Sequence, residues 1–412
     1  MATIRAFQAV RPVTEKAVEV AALPYDVMSS AEAKEMTKGN ALSFLHVDKA
    51  EIDLPEGTDL YDDKVYQKAA ENLQKLQADG VMRQDEKPCI YIYRQVMNGR
   101  VQTGLVCCAS ADDYLNRVIK KHEFTRAQKE KDRIRHVDTC DANTGPIFLT
   151  YRDSKAVNTI VKQYIKDNMP VYNFTSGGVL NVVWVIEDEA LIAALINAFR
   201  DIPDLYIADG HHRAASAVKV AQLRRAQHPG YTGEEEFNYF LAVLFPESEL
   251  AIMDYNRVVK DLNGLTQEAF LDKLSEKFTI EPMRDRFKPK KRHEFGLYLG
   301  EKWYKMNLKS GICNENNPLE RLDVSVLQDH VLSPILGIDD PREDDRIDFI
   351  GGIRGLVGLE QRCHEDMCLA FALYPTGTEE LMAIADSGNV MPPKSTWFEP
   401  KLLSGLFIHK LS

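Results

Sequence analysis

Leu205-Tyr206-Ile207-Ala208-Asp209-Gly210-His211-His212-Arg213-Ala214-Ala215-Ser216-Ala217 decides the fold, because the sequence changes period inside it. Four apolar residues in a row read as a short buried strand, and the Ala-rich run from Ala214 to Gln227 reads as a helix. Between them lies a polar turn, Asp209 to Arg213. A glycine at such a turn lets backbone come close to a ligand. The helix start adds unpaired N–H groups and the positive end of its dipole. Two imidazoles and a guanidinium bring further donors, and Arg suits bidentate contact with phosphate. Asp209, at the end of the strand, is placed to hold a metal or to orient a histidine. The plain alternative is a helix cap with buried polar residues.

Outward from this turn the chain alternates strand and helix. Val179 to Ile186 and Tyr239 to Phe245 read as strands, and Glu189 to Phe199 as a helix. Further upstream, Asp62 to Gln77 repeats apolar residues at Val65, Tyr66, Ala69, Leu73 and Leu76, which is helical spacing that Gly80 stops. Ser29-Ser30 supplies a cap for a helix over Ala31 to Lys38. Cys89 to Arg94 and Val101 to Ala109 flank Asn98-Gly99, a hairpin signal. The class is mixed α/β (α+β), with large α/β regions added around the strand–turn–helix centre. The basic run Phe287-Lys288-Pro289-Lys290-Lys291-Arg292-His293 reads as a linker or turn. It divides an α/β region over 1–290, holding the Asp209 turn, from a second over 291–412.

The chain has 412 residues, 44% hydrophobic and 27% charged, which is ordinary globular composition and length for two or three domains. Lys plus Arg is 51 and Asp plus Glu is 62, a net charge of −11. Duplex binding rests largely on phosphate neutralisation, so nucleic acid is not an expected partner. No run approaches the roughly 20 apolar residues that span a bilayer, and the N-terminus lacks a signal-peptide core. Seven cysteines without a C-x-x-C pair read as reduced thiols, hence a cytoplasmic protein in which structural zinc held by cysteine is not expected. Cys107-Cys108 sits in an apolar strand. Cys363, His364 and Cys368 lie close enough in sequence to meet around a metal, a weak signal. Nothing in the residues fixes an oligomeric state.

Three further segments carry charge worth placing. Lys121 to His136 reads as a charged helix on which Arg126, Lys129 and Arg133 share a face, either solvated or presented to an anion. Met391-Pro392-Pro393-Lys394-Ser395-Thr396-Trp397-Phe398-Glu399-Pro400-Lys401 is stiffened by two prolines. Its Lys394, Ser395 and Thr396 suit an anion, unless the loop is a structural lock packed through Trp397 and Phe398. Arg346 opens a strand that feeds Gly351-Gly352 and is a further ligand candidate. His46 reads as a satisfied structural histidine rather than a catalyst.

The string Asp209 to Arg213, with Ala214 to Ala217 opening the helix, resembles the D-G-H-H-R signature of the ParB/sulfiredoxin-like superfamily, which includes free serine kinases. The whole chain resembles the bacterial family called domain of unknown function 1015. That likeness runs through Leu23 to Val27, Ser43 to Val47, Lys121-His122-Glu123, Asp132-Arg133, Gly145 to Leu149, Asp209 to Arg213, Arg346 to Phe349 and Met391 to Lys401. The superfamily resemblance implies a ParB/sulfiredoxin-like core whose turn grips nucleotide or transferred phosphate. It also implies transfer from ATP, ADP or pyrophosphate to the hydroxyl of free L-serine. The kinases place a carboxylate in a short Pro-His-Glu-like motif, and Lys121-His122-Glu123 is its echo here, without the proline.

The residues are compatible with that chemistry. Phosphoryl transfer needs cations on the moving group, usually a metal, and a carboxylate near the attacking hydroxyl. Gly210, His211, His212 and Arg213, with Lys394, Ser395 and Thr396, are the expected phosphate or nucleotide contacts. Arg126, Arg133 and Arg346 are the expected substrate contacts. Asp209 is the expected Mg²⁺ ligand, and Glu123 or else Asp26 the base. No P-loop or protein-kinase D-F-G is present. The leading expectation is a free L-serine kinase making O-phosphoserine. The alternatives are a phosphoserine phosphatase-like enzyme and a nucleotide- or serine-binding regulator without turnover.

Overall fold

The computed structural model describes residues 1–412. The chain forms two compact units, Met1–Leu250 with Pro400–Ser412, and Ala251–Glu399. The division differs from the expected break near 290. Glu294–Leu299, immediately after the basic run, pairs with Leu369–Ala372, which in turn pairs with Tyr255–Val259. Pairing across that run ties both sides of it into one sheet.

The first unit is built on a nine-stranded sheet. Its main order is Ile119–Lys120, Leu205–Asp209, Ile147–Tyr151, Tyr239–Pro246, Arg100–Ser110, Ile90–Met97, Val179–Ile186, Tyr172–Ser176, with Ile4–Arg5 also on Arg100–Ser110. Two pairings are parallel, Leu205–Asp209 with Ile119–Lys120 and Tyr239–Pro246 with Ile147–Tyr151. The hairpin Ile90–Met97/Arg100–Ser110 turns at Asn98 and Gly99, φ +51° and +78°, the paired positive φ that a two-residue hairpin needs. Cys107 and Cys108 are buried in its second strand.

Strand residues point alternately to the two faces. One face carries Ile90, Ile92, Leu105, Cys107, Ile207 and Leu244 into a core closed by Leu195, Phe199, Ala214 and Val218 from two helices. The other face is partly polar: Tyr93 Oη donates to Asn181 Oδ1 at 2.6 Å, and Gln102 Nε2 donates to Gln95 Oε1 at 2.9 Å. The returning C-terminus lies on it. Gln95 Nε2 donates to the Lys401 carbonyl at 2.9 Å, and the Phe407 ring sits 5.1 Å from Tyr91. Ser404 and Ile408 then bridge Ala22 and Val10, and His409–Lys410 pairs with Ala142–Asn143.

The helices follow their sequence signals. Ser29 closes a capping box with Glu32 ahead of Ser30–Met36. Asp63–Ala78 buries Val65, Tyr66, Ala69, Leu73 and Leu76, the predicted stripe. The charged segment differs: its helix is Ala127–Cys140, so Glu123 and Arg126 stand in the loop before it. In the second unit all pairings of a six-stranded sheet are antiparallel. No helix of the chain is long and apolar enough to cross a membrane.

Gly405 tests the C-terminal strap. Its φ is +84°, and a Cβ there would stand 2.7 Å from Phe44 Cβ and Cγ. Gly405→Ala should lower stability in urea by about 1–3 kcal/mol through strain and overpacking. An unchanged midpoint would mean that the strap is not held as described.

Candidate functional site

Asp209 to Arg213 joins the Leu205–Asp209 strand to the His211–Gln227 helix, as the change of period predicts. Gly210 is the helix cap with φ +90°, and a Cβ there would lie 3.0–3.3 Å from the Arg213 guanidinium. Only glycine meets both demands. The first intrahelical bond runs from Ala214 N–H to the Gly210 carbonyl at 2.9 Å. The N–H groups of His211, His212 and Arg213 precede it, at the positive end of the helix.

Arg213 is the centre of the site. Its side chain is only 10% exposed. One terminal nitrogen donates to the Pro146 carbonyl. The other stands 3.7 Å from Asp26 Oδ2 and 3.8 Å from Asp209 Oδ2, charge pairs too long for direct hydrogen bonds. Its Nε is buried without a hydrogen-bond partner. A buried donor without a partner calls for an acceptor, which a water or an anion can supply.

The same small cavity, of about 30 Å³, is lined by Arg133 and Arg213 together with Tyr25, Asp48, Thr144 and Ser404. It has room for a water. Arg133 binds Asp132 Oδ2 at 2.8–2.9 Å, and its guanidinium lies 4.1 Å from the Tyr25 ring centroid. Burial pushes the Asp48 carboxyl up, opposed by Ser404, Arg133, Thr144 and Arg213.

Asp209 is locked. Oδ1 accepts the Gly210 N–H at 2.8 Å, and Oδ2 accepts from Lys401 Nζ at 3.1 Å. Burial pushes this carboxyl up, but Lys401, Arg213 and the Gly210 N–H outweigh burial and hold it below the usual carboxylate range. A divalent ion on Asp209 would face Lys401 and Arg213 on the same oxygen. The donor set is that of a paired carboxylate and does not fit the expected Mg²⁺ ligand.

The histidines divide their work. His211 Nε2 accepts the His122 N–H at 3.4 Å, so its proton belongs on Nδ1, which faces Glu123 Oε2 at 3.7 Å. Burial first, then His122, keeps His211 well below its ordinary pKa, and burial brings His122 down to about 4. Both rings are neutral at pH 7. His212 Nε2 accepts the N–H of Arg126, the cap residue of Ala127–Cys140, at 3.0 Å. That bond braces the loop that carries Glu123 and leaves the ring proton of His212 on Nδ1.

Of the expected cations, Arg213 and Arg133 come together, while the Arg126 side chain is exposed. Lys394, Ser395, Thr396 and Arg346 belong to the second unit. There Lys394 lies 5.7 Å above the Tyr255 ring, and Ser395 Oγ donates to the Pro392 carbonyl at 2.6 Å. Arg346 spends its donors on Asp344 and on the Leu336 and Gly337 carbonyls at 2.7–3.2 Å. Ser395 and Arg346 thus make local hydrogen bonds within that unit. His46 bridges Asp53 at 2.8 Å and the Asn40 carbonyl at 3.2 Å, a structural brace. Lys401 and Asp48 are the site residues that sequence reading passed over. Lys401 closes the quoted Pro-rich segment, but only the folded C-terminus brings it to Asp209.

The strand–Gly210–helix turn, with Arg213 buried beside it, is the centre of a mixed α/β protein. The chain belongs to the family described as "Protein of unknown function (DUF1015)", which matches residues 4–325. A comparison with curated proteins found no match. Among solved structures the chain is similar to C-terminally truncated SbnI from Staphylococcus aureus, at 12% identity and TM-score 0.38 over 73% of this chain and 85% of that one. It is also similar to a free serine kinase variant in complex with ADP, at 15% identity and TM-score 0.35 over 74% of this chain and 90% of that one. A conserved hypothetical protein from Pyrococcus furiosus matches at 14% identity and TM-score 0.36, over 76% and 97%.

Burial holds His122 and His136 down to about 4, against an ordinary value of 6.5. Between these values the unfolded chain binds more protons, so this contribution to stability falls as pH drops from about 6.5 towards 4. Removing one such imidazole should flatten the curve. His136→Gln keeps a donor for the Val47 carbonyl, which His136 Nε2 meets at 3.1 Å. In urea unfolding at pH 6.5, 5.75 and 5, this variant should lose less stability across the range than wild type. Parallel curves would place His136 outside the burial described.

Proposed function

We propose that the chain is a small-molecule phosphotransferase acting at the Asp209–Arg213 turn, with free L-serine as acceptor and ATP, ADP or pyrophosphate as donor. The observation that carries the reading is Arg213, buried at a helix start with Nε unused and sharing a cavity with Arg133. Phosphoryl transfer is mainly positioning and charge stabilisation. Arg213, Arg133 and the first helical N–H groups hold the transferring phosphate. The cavity is water-sized and Asp26 stands against Arg213, so an entering phosphate takes the place of the Asp26 carboxylate. Glu123, 37% exposed and faced by His211 Nδ1–H, takes the serine proton. His211 is its positioning residue. The chain's residues supply no metal ligand at Asp209, and no step is assigned to a metal.

One observation favours a second reading, a nucleotide- or serine-binding protein without turnover: the carboxylate expected to hold Mg²⁺ is already engaged by Lys401.

Incubation with serine and each donor, with detection of O-phosphoserine, tests the proposal. Arg213→Lys should cut turnover by about 10²–10³, the usual loss for an oriented charge-stabilising group. Glu123→Gln should depress turnover while donor binding by calorimetry stays within about threefold, because a base acts on the acceptor. Donor binding without phosphoserine would favour the second reading. Wild-type turnover in folded Arg213→Lys would remove this turn from catalysis.

A further inference from the structure

The second unit holds a cluster of metal-binding side chains unrelated to the Asp209 turn. His293 ends the basic run with φ +65°, and its backbone N–H donates to Asp323 Oδ1 at 2.9 Å. Its ring stands between two acceptors. Nε2 lies 3.0 Å from the Arg321 carbonyl, which can only accept, so Nε2 carries hydrogen. Nδ1 lies 3.3 Å from Glu315 Oε1. In the neutral ring that contact sets a nitrogen lone pair against a carboxylate oxygen. A cation placed between them would turn that repulsion into attraction.

Cys313 completes the group. Its Sγ is 3.7 Å from Glu315 Oε1 and 4.0 Å from His293 Nε2. One donor atom from each of the three residues lies within 4.8 Å of the other two. Ligands about 2.0–2.3 Å from a tetrahedral zinc are separated by roughly 3.3–3.8 Å. The Nδ1–Oε1 and Sγ–Oε1 separations fall in that range. A backbone carbonyl that fixes the far ring nitrogen is the usual outer partner of a metal-bound histidine. Beside the ring, Asp323 Oδ1 is 3.9 Å from Nε2, and Asp323 Oδ2 is buried without a hydrogen-bond partner. Against these carboxylates stands Arg292, 3.0 Å from Glu315 Oε2.

We propose that His293, Cys313 and Glu315 bind one borderline-soft divalent transition-metal ion, of the zinc class, through Nδ1, the thiolate and a carboxylate oxygen. Thiolate and imidazole disfavour Mg²⁺ and Ca²⁺, which take oxygen ligands. Three protein donors leave a fourth position for water or an exogenous ligand. Glu315 is 54% exposed, so the ion enters from solvent. Once bound, it ties the irregular segment around Cys313 and Glu315 to the turn at His293 and stabilises the folded chain by mass action.

The full chain, stripped of metal, should take up one equivalent of Co²⁺ with a thiolate-to-cobalt charge-transfer band, and Zn²⁺ should displace it. Cys313→Ser should abolish the band while melting like wild type without metal. Glu315→Gln and His293→Asn should weaken Zn²⁺ binding at least tenfold, and Mg²⁺ should not compete. Zn²⁺ should raise the melting temperature of wild type and not of Cys313→Ser. A cobalt band that survives in Cys313→Ser would place the thiolate elsewhere and overturn the proposal. So would the absence of any band or of Zn²⁺ stabilisation in wild type, which would leave His293 and Glu315 as an imidazolium–carboxylate pair.

Discussion

The first unit depends on keeping one guanidinium charged inside protein. Arg213 leaves water at the first turn of a helix, where the dipole is positive and adds to the difficulty of placing a cation. Three arrangements answer that cost. Gly210 has no Cβ, so the guanidinium lies against the turn. The Pro146 carbonyl takes one donor. Asp26 and Asp209 flank the remaining terminal nitrogen, and their charges outweigh burial, so the Arg213 pKa is raised despite it. Asp209 is held in turn by Lys401, whose carbonyl is anchored by Gln95 on the polar face of the sheet. The C-terminal return is thus part of the electrostatics of a turn some two hundred residues earlier in the chain.

Local signals in the sequence were sufficient where a period or a single turn decides the outcome. The stripe of Asp63–Ala78 needs only helical spacing, and the Asn98-Gly99 hairpin needs only two residues that accept positive φ. The strand–Gly210–helix turn was legible for the same reason. What was not legible depends on residues far apart. Arg346 reads as a free cation until the Leu336 and Gly337 carbonyls fold back onto it. The brace that His212 gives the loop is invisible until the fold brings the Arg126 N–H onto its Nε2. The division of the chain at Leu250 and Pro400 was hidden because a basic, Pro-containing run resembles a linker whether or not the strands on its two sides pair. His293, Cys313 and Glu315 were silent because no standard metal-ligand spacing joins them.

Neighbouring histidines with one pattern in sequence separate by environment. His211 is buried against the His122 ring at 4.5 Å, where a second positive charge is excluded, so both stay neutral. A neutral ring whose Nε2 already accepts presents one N–H, and that N–H faces Glu123. His212, one residue on, meets the same loop at its backbone, where it accepts the Arg126 N–H. The pair therefore fixes the Glu123 segment twice, once at the carboxylate through His211 and once at the backbone through His212.

The carboxylates around Arg213 are not equivalent, and the difference bears on how an anion enters. Any carboxylate that stabilises the empty guanidinium repels a phosphate placed beside it. Asp209 cannot leave, since both its oxygens are engaged by Gly210 and Lys401. Asp48 is buried and takes the Thr144 hydroxyl at 3.0 Å. Asp26 stands on the short turn Tyr25–Val27, 37% exposed, and meets Arg213 only at 3.7 Å. It is the counter-ion with the least to lose by turning into solvent. Under the proposed function, a phosphate would then gain the Arg213 and Arg133 side chains, while the retained pair of Asp209 and Lys401 adds little net field. Under that proposal, the site would favour ligands with two negative charges over those with one, because a single carboxylate already stands at the place of the first.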